Sequence, residues 1–508
     1  MLLLLFVVLF VQLNNIQVRQ SSALSKNPLA HVSYGRTPPQ PRGAILSQDL
    51  KILAYSKPAK GVELRIYPNK TAVEFGQITG YFGATGLIAT QFGIEAFYNS
   101  YLSQHLSSAH SLGQLASRHQ VTDNVILTVP SSLQADAASL LAGHDKSEIV
   151  ALDPRNGDIL AMYGYPSYNP NQLAAQNQKS ALAAYNRLAK QYPEPFLNAA
   201  SAVPYAPGST FKIITTSAIF DRKPALATKS WPQLQQLAIK GAASKFHNYA
   251  FATCGGPLAL VLAQSCDTAY ALIGLHLGAH NVVSEAKSFG WCEGAAGVCK
   301  PGQERPPLDL PSSEISGATM APESQLAANP PYLAYSSIGQ YQDVASALSM
   351  ALVGSAIADN GKIMAPHLMS KIVDSAGNVV DRYRPHVWKQ ATSASTAARV
   401  RQLMLGVTQT SDGGTAGGVF SNLQAQGIQA AAKTGTAEAV IVSSAGNCAT
   451  DDWLVAMAPA GPGQIPKAVV AAEVHTPNGT TGCSEATGAS IAGPIVDQML
   501  TDVLNAGR

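Results

Sequence analysis

The chain has little charge. Only 13% of its 508 residues are Asp, Glu, Lys or Arg, the formal net charge is +3, and no basic run with interleaved aromatics occurs. The footprint of a nucleic-acid-binding protein is therefore missing. No segment repeats at a fixed period and no low-complexity tract is present, which excludes solenoids and long disordered tails. The eleven histidines are scattered, and His247, His276 and His280 form no ligand spacing with cysteine, so neither a metal nor another cofactor is expected. His276 and His280, four apart on a helical pattern, are expected to serve structure or surface. A full-length apolar span is absent too: "MLLLLFVVLFVQL" at the N-terminus covers about 20 Å as a helix, against roughly 30 Å of hydrocarbon.

What is present begins with that run. It reads either as a membrane anchor over residues 1–18 whose basic flank lies upstream of Met1, or as a signal peptide cleaved near Ser21-Ser22-Ala23. The anchor is the preferred reading, and both readings place the rest of the chain outside the cytoplasm. Six cysteines suit an oxidising compartment. Cys292 and Cys299 bracket the short loop "CEGAAGVC" and make one candidate disulfide, Cys448 and Cys483 a weaker second, with buried free thiols as the alternative.

At 46% hydrophobic content this length predicts two or more domains. The Pro-rich "RTPPQPRGAIL" hands over to a strand-like "AILSQDLKILAYS", and a helix is expected around Gly93 to Leu106. "EIVALD", the turn "PRNG" and "DILAMYGY" read as a hairpin. A domain boundary is placed close to Asp145, giving an N-terminal non-catalytic domain over 19–145 and a second domain over 146–508. The second is Ala-rich, with a helix expected at Asp343 to Ala358 and strands near Lys433 and over Lys467 to His475.

Chemistry concentrates in three stretches of the second domain. In "PGSTFKIITTSAIF", Pro207-Gly208 breaks the preceding structure, Ser209 starts a helix and Lys212 lies one turn on. At that spacing the two side chains share a face, and the amine can take the hydroxyl proton. A serine N-cap followed by a solvated lysine is the bland alternative. Indeed, Ser284 and Lys287 repeat the S-x-x-K pattern in "SEAK", read as a surface helix. The later landmarks decide between them. "AQSCDTAYALIG" places Ser265, Cys266 and Asp267 at a helical start 56 residues after Ser209, and "AAAKTGTAEAVIV" places Lys433, Thr434 and Gly435 on a strand. Small Gly435 leaves room for a ligand along the strand, and Thr434 and Thr436 can bind a carboxylate. The order S-x-x-K, S-x-[ND], K-T-G is that of a set of serine acyl transferases. Ser284 follows the second landmark and fails the test.

With "PRGAIL", "ALDPRNGDILAM", "PSYNPN", "IADNGKIMAPHL" and "GGTA", these motifs make the chain resemble the class B penicillin-binding proteins. The resemblance implies a multidomain α/β (α+β) protein. Its catalytic part is a penicilloyl-serine-transferase fold, a five-stranded antiparallel sheet with a helical subdomain. It implies a peptidoglycan D,D-transpeptidase in which Ser209 is the nucleophile, Lys212 the general base, Ser265 a proton relay, and Lys433 its electrostatic support. Thr434, Gly435 and Thr436 would line the substrate site, and the backbone N–H groups of Ser209 and Thr436 would form the oxyanion hole. Expected partners are D-alanyl-D-alanine stem peptides, β-lactams, the membrane and a SEDS-type glycan polymerase of the growth or division machinery. Asp267 departs from the family's asparagine: a carboxylate only accepts hydrogen bonds, so it either pairs with Lys212 or is held protonated. A catalytically silent scaffold, a β-lactam sensor and a β-lactamase are the alternatives, the last needing a water-activating carboxylate for which only Glu323 offers itself.

Overall fold

The computed structural model describes residues 40–59, 62–83, 92–106, 120–441, 448–477 and 486–507. The apolar run expected as an anchor lies outside them. Among the described residues no helix is long and apolar enough to cross a membrane.

The hairpin reading holds. Strands β1 (Lys146–Leu152) and β2 (Ile159–Tyr165) pair antiparallel, and Asp153 closes the turn by accepting from the Arg155 backbone N–H at 2.9 Å and from its guanidinium. Three later strands complete the sheet: β3 (Ala431–Ile441), β4 (Cys448–Ala458) and β5 (Ala468–Thr476), in the order β3-β4-β5-β1-β2, every pair antiparallel. β1 and β5 are nearly continuous runs of buried residues because helices cover both faces. On one side lie α1 (Ser131–Leu141) and α5 (Ala492–Ala506). On the other lies α4 (Ala347–Ala358), "ALSMALVGSAIA", buried at all twelve positions. A helix apolar all round can only be a core helix. Its start falls short of the expected Asp343, because Ser346 caps it by accepting from the Ser349 N–H.

A second sheet of six strands runs (379–382)-(369–373)-(124–127)-(45–46)-(52–59)-(62–66). It joins strands from before Asp145 to two from the middle of the chain, Met369–Val373 and Val379–Arg382. The expected helix from Gly93 to Leu106 is two short pieces, Gly93–Phe97 and Asn99–Leu102, followed by a strand at His105–Leu106. His276 and His280 prove to sit on separate helices, because Gly278 at φ +82° ends one and starts the next.

Buried Glu95 knits the second sheet to these helices. It takes both Arg42, at 2.8 Å, and Arg65, and the Tyr67 hydroxyl donates to it at 3.0 Å. Burial pushes its carboxyl up, yet the two guanidinium groups outweigh burial and hold it below the ordinary carboxylate value. Its contribution is thus complete at neutral pH and is lost only as the pH falls through that depressed value. Glu95→Ala leaves two buried guanidinium groups without their anion and is expected to cost about 3–5 kcal/mol in denaturant unfolding at pH 7.

Candidate active site

Ser209 stands on a 3-10 turn, Gly208–Phe211, that runs straight into α2 (Lys212–Arg222). Gly208 takes φ +50°, a conformation glycine adopts without strain. The turn is pinned against the sheet: Trp453 on β4 donates its indole N–H to the Ala206 carbonyl at 2.8 Å. A Cβ at Gly435 would lie 2.7 Å from the Pro207 carbonyl oxygen. The space that the sequence reading gave to a ligand at Gly435 therefore accommodates the nucleophile's own turn. Ser209 is left half-buried at the mouth of a cavity, and Lys212 is fully buried behind it.

The second landmark lies in a tight loop between the helix Leu258–Ala263 and α3 (Asp267–Leu277). Ser265 has φ +56°, a strained value for a residue with a Cβ, of the kind that collects at functional sites. The Cys254–Cys266 disulfide ties the next residue to a neighbouring strand, and Asn248 accepts from the Thr268 N–H at 2.8 Å. The disulfides thus differ in part from expectation. Cys292–Cys299 forms as read, and Cys254 pairs with Cys266, which was not anticipated because a helix, Leu258–Ala263, lies between the two cysteines and their approach depends on how it packs. The Cys448–Cys483 candidate lies outside the described residues.

These pieces converge on one hydrogen-bonded junction. Lys212 Nζ contacts the Ser265 carbonyl at 2.7 Å, the Ser265 hydroxyl at 3.2 Å and Asp267 Oδ1 at 2.7 Å. Lys433 Nζ reaches the same Ser265 hydroxyl at 2.8 Å and the Thr434 carbonyl at 2.8 Å. Both lysines are wholly buried. Burial lowers the Lys212 pKa against the opposing pull of Asp267. Burial lowers that of Lys433 further, and the Lys212 charge adds to the effect. The Asp267–Lys212 pairing is the first of the two options left open by the sequence. A charged Lys212 fills its three donors with these three contacts; a neutral one keeps the two shorter bonds and turns a lone pair toward the Ser265 hydroxyl.

The cavity outside this junction is lined by Ser209, Ser265, Asp267, Thr434 and Thr436, as read, and also by Thr415 and Tyr249, which were not. Thr415 Oγ1 lies 2.7 Å from Thr434 Oγ1, and the Tyr249 N–H donates to Asp267 Oδ2 at 3.2 Å. The Gly413-Gly414 turn ahead of Thr415 was the available signal. Elsewhere, Lys287 of the second S-x-x-K is exposed and ion-paired with Glu293 at 2.8 Å. Glu323 pairs with exposed His280 at 3.2 Å.

The penicillin-binding protein transpeptidase domain matches residues 148–501. The peptidoglycan D,D-transpeptidase PbpA of Mycolicibacterium smegmatis is 30% identical over 90% of this chain and 88% of its own length. This chain belongs to the class B penicillin-binding proteins. Among solved structures, the penicillin G acyl-enzyme complex of penicillin-binding protein A from Mycobacterium tuberculosis superposes with TM-score 0.75 at 27% identity, covering 92% of this chain and 100% of that one. A D,D-transpeptidase domain from Eggerthella lenta gives TM-score 0.71 at 28% identity, over 92% and 99%. Within this penicillin-binding protein, the Cys254–Cys266 bridge restrains the loop that carries Ser265 and Asp267. The double variant Cys254→Ser, Cys266→Ser is expected to lose about 2–4 kcal/mol of stability in thermal unfolding under non-reducing conditions.

Proposed function

We propose that the protein is a serine D,D-transpeptidase that cross-links peptidoglycan stem peptides through an acyl-enzyme on Ser209, and that β-lactams trap the same serine. The observation that carries this reading is the junction in which Lys212 and Lys433 share the Ser265 hydroxyl, in the cavity that Ser209 also lines. Ser209 Oγ attacks the carbonyl between the two terminal D-alanines. Its proton passes to the neutral Lys212 amine; as the C–N bond breaks, the Ser265 hydroxyl, polarised by Lys433, gives its proton to the departing D-alanine nitrogen and takes the one held by Lys212, which returns the amine to its neutral form. The amine of a second stem peptide then attacks the ester, restoring the serine hydroxyl and leaving a new amide. Backbone N–H groups of Ser209 and Thr436 hold the oxyanion, and the Thr434 and Thr436 hydroxyls, the former steadied by Thr415, receive the terminal carboxylate.

Once Lys212 has taken the Ser209 proton, two buried ammonium groups face the single carboxylate of Asp267 and leave a local excess of positive charge at the cavity floor. That sign suits an oxyanion and a peptide carboxylate together. We further assign residues 19–145 to a non-catalytic domain and 146–508 to the transpeptidase, on the outer side of the membrane and attached through residues 1–18. A SEDS-type glycan polymerase is the proposed partner. The pairing of Glu323 with surface His280 removes the residue on which a β-lactamase reading depended.

Ser209→Ala is expected to abolish covalent labelling by a fluorescent penicillin, and Ser284→Ala to leave it at the wild-type level. Intact-mass analysis with peptide mapping should place the penicilloyl group on Ser209. Retained labelling in Ser209→Ala overturns the assignment.

A further inference from the structure

A cluster of acids with a histidine lies on the face of the central sheet opposite α1 and α5, outside the machinery of acyl transfer. On antiparallel strands, facing residues point the same way. Asp451 on β4 faces His475 on β5, and Glu473, two residues before His475, faces Glu148 on β1. All four side chains therefore project to one side, and ligand atoms of Asp451, Glu473 and His475 lie within 4.8 Å of one another. His475 Nδ1 is 2.8 Å from Asp451 Oδ1.

More than the clustering points to a ligand. Glu473 is 0% exposed, and neither of its carboxylate oxygens has a hydrogen-bond partner in the protein. Glu148, 1% exposed, is satisfied only on Oε2, by the Ala347 N–H at 3.1 Å at the start of α4, and its Oε1 is likewise without a partner. Buried carboxylate oxygens are ordinarily bonded, since an unpaired one costs several kcal/mol. Here three such oxygens share one side of the sheet, beside a half-buried imidazole. That imidazole gives access: His475 borders a surface cavity shared with His144 and Asp145. Lys146, which faces His475 across the strands, is the one cation on this row, and its ammonium lies over the Tyr192 ring at 5.4 Å.

We propose that Asp451, Glu473 and His475 form a binding site for a divalent cation of the zinc or manganese class, with Glu148 completing its acidic wall. One imidazole nitrogen with carboxylate oxygens suits these metals, whereas calcium and magnesium take oxygen ligands. The site has a structural consequence for the nucleophile's segment. Tyr205, whose ring stacks on His475 with centroids 6.2 Å apart, exchanges backbone hydrogen bonds with Ala345 and leads four residues later into Ser209. No local motif announces the site, because its ligands come from two strands, with Asp451 and His475 24 residues apart in sequence.

The full-length protein, stripped with EDTA and dialysed, is titrated calorimetrically with zinc or manganese chloride alone, and retained metal is measured by plasma mass spectrometry. One equivalent per chain is expected. His475→Gln, at the rim, should weaken binding at least about tenfold, while His280→Gln on the exposed His280–Glu323 pair binds like wild type. Melting gives a second readout that does not depend on the rim variant's fold. The metal should raise the wild-type Tm, whereas Glu473→Gln, which replaces the buried carboxylate by a neutral amide, should not respond to metal. Absence of binding in the wild type, equal binding by His475→Gln, or a wild-type Tm that metal does not move overturns the site.

Discussion

The Lys212 amine holds together segments that are far apart in the chain. It stands at the start of α2, yet its partners are the carbonyl and hydroxyl of Ser265 and the carboxylate of Asp267, and through Ser265 it meets Lys433 on the central sheet. Two ammonium groups buried at one hydroxyl repel each other and lose hydration, so the arrangement favours release of a proton from the pair. Asp267 works against that release. The balance between burial and this one carboxylate sets how much of Lys212 is a neutral base.

The surroundings keep the balance from relaxing. The turn before Ser209 is pressed onto β3 where Gly435 has no side chain and is held by the Trp453 indole. Ser265 is kept at positive φ by a loop closed by the Cys254–Cys266 bridge and by Asn248. On the same face of the sheet, α4 packs small and apolar side chains against Val455 and Val469, which lets the strands carrying Lys433 and Trp453 stay within a rigid core. Positioning of this kind is what an acyl transfer needs, since the reacting groups must meet within a few tenths of an ångström.

Much of this was legible in the sequence, for physical reasons that differ by element. The hairpin of β1 and β2 announces itself by a Gly-containing turn between two apolar runs, and Ser209, Ser265 and Lys433 announce themselves by order along the chain. Local patterns carry no information on which distant residues will touch. Thr415 against Thr434, the pairing of Cys254 with Cys266, and the choice of Asp267 for Lys212 all depend on tertiary packing. The run from Gly93 to Leu106 misled because its apolar spacing suits a helix, while the backbone breaks at Tyr98 and turns to a strand at His105. His276 and His280 misled similarly, since helical spacing was assumed across Gly278, where the helix ends.

The pH dependence of the acylation rate by a penicillin, compared between wild type and Asp267→Asn, tests most directly whether Lys212 is the base and Asp267 its restraint. Because Asp267 raises the Lys212 pKa, its neutralisation should move the acid limb of the profile to lower pH and leave the rate at neutral pH equal or higher. An acid limb that stays in place or moves upward, or a complete loss of acylation, would contradict the account.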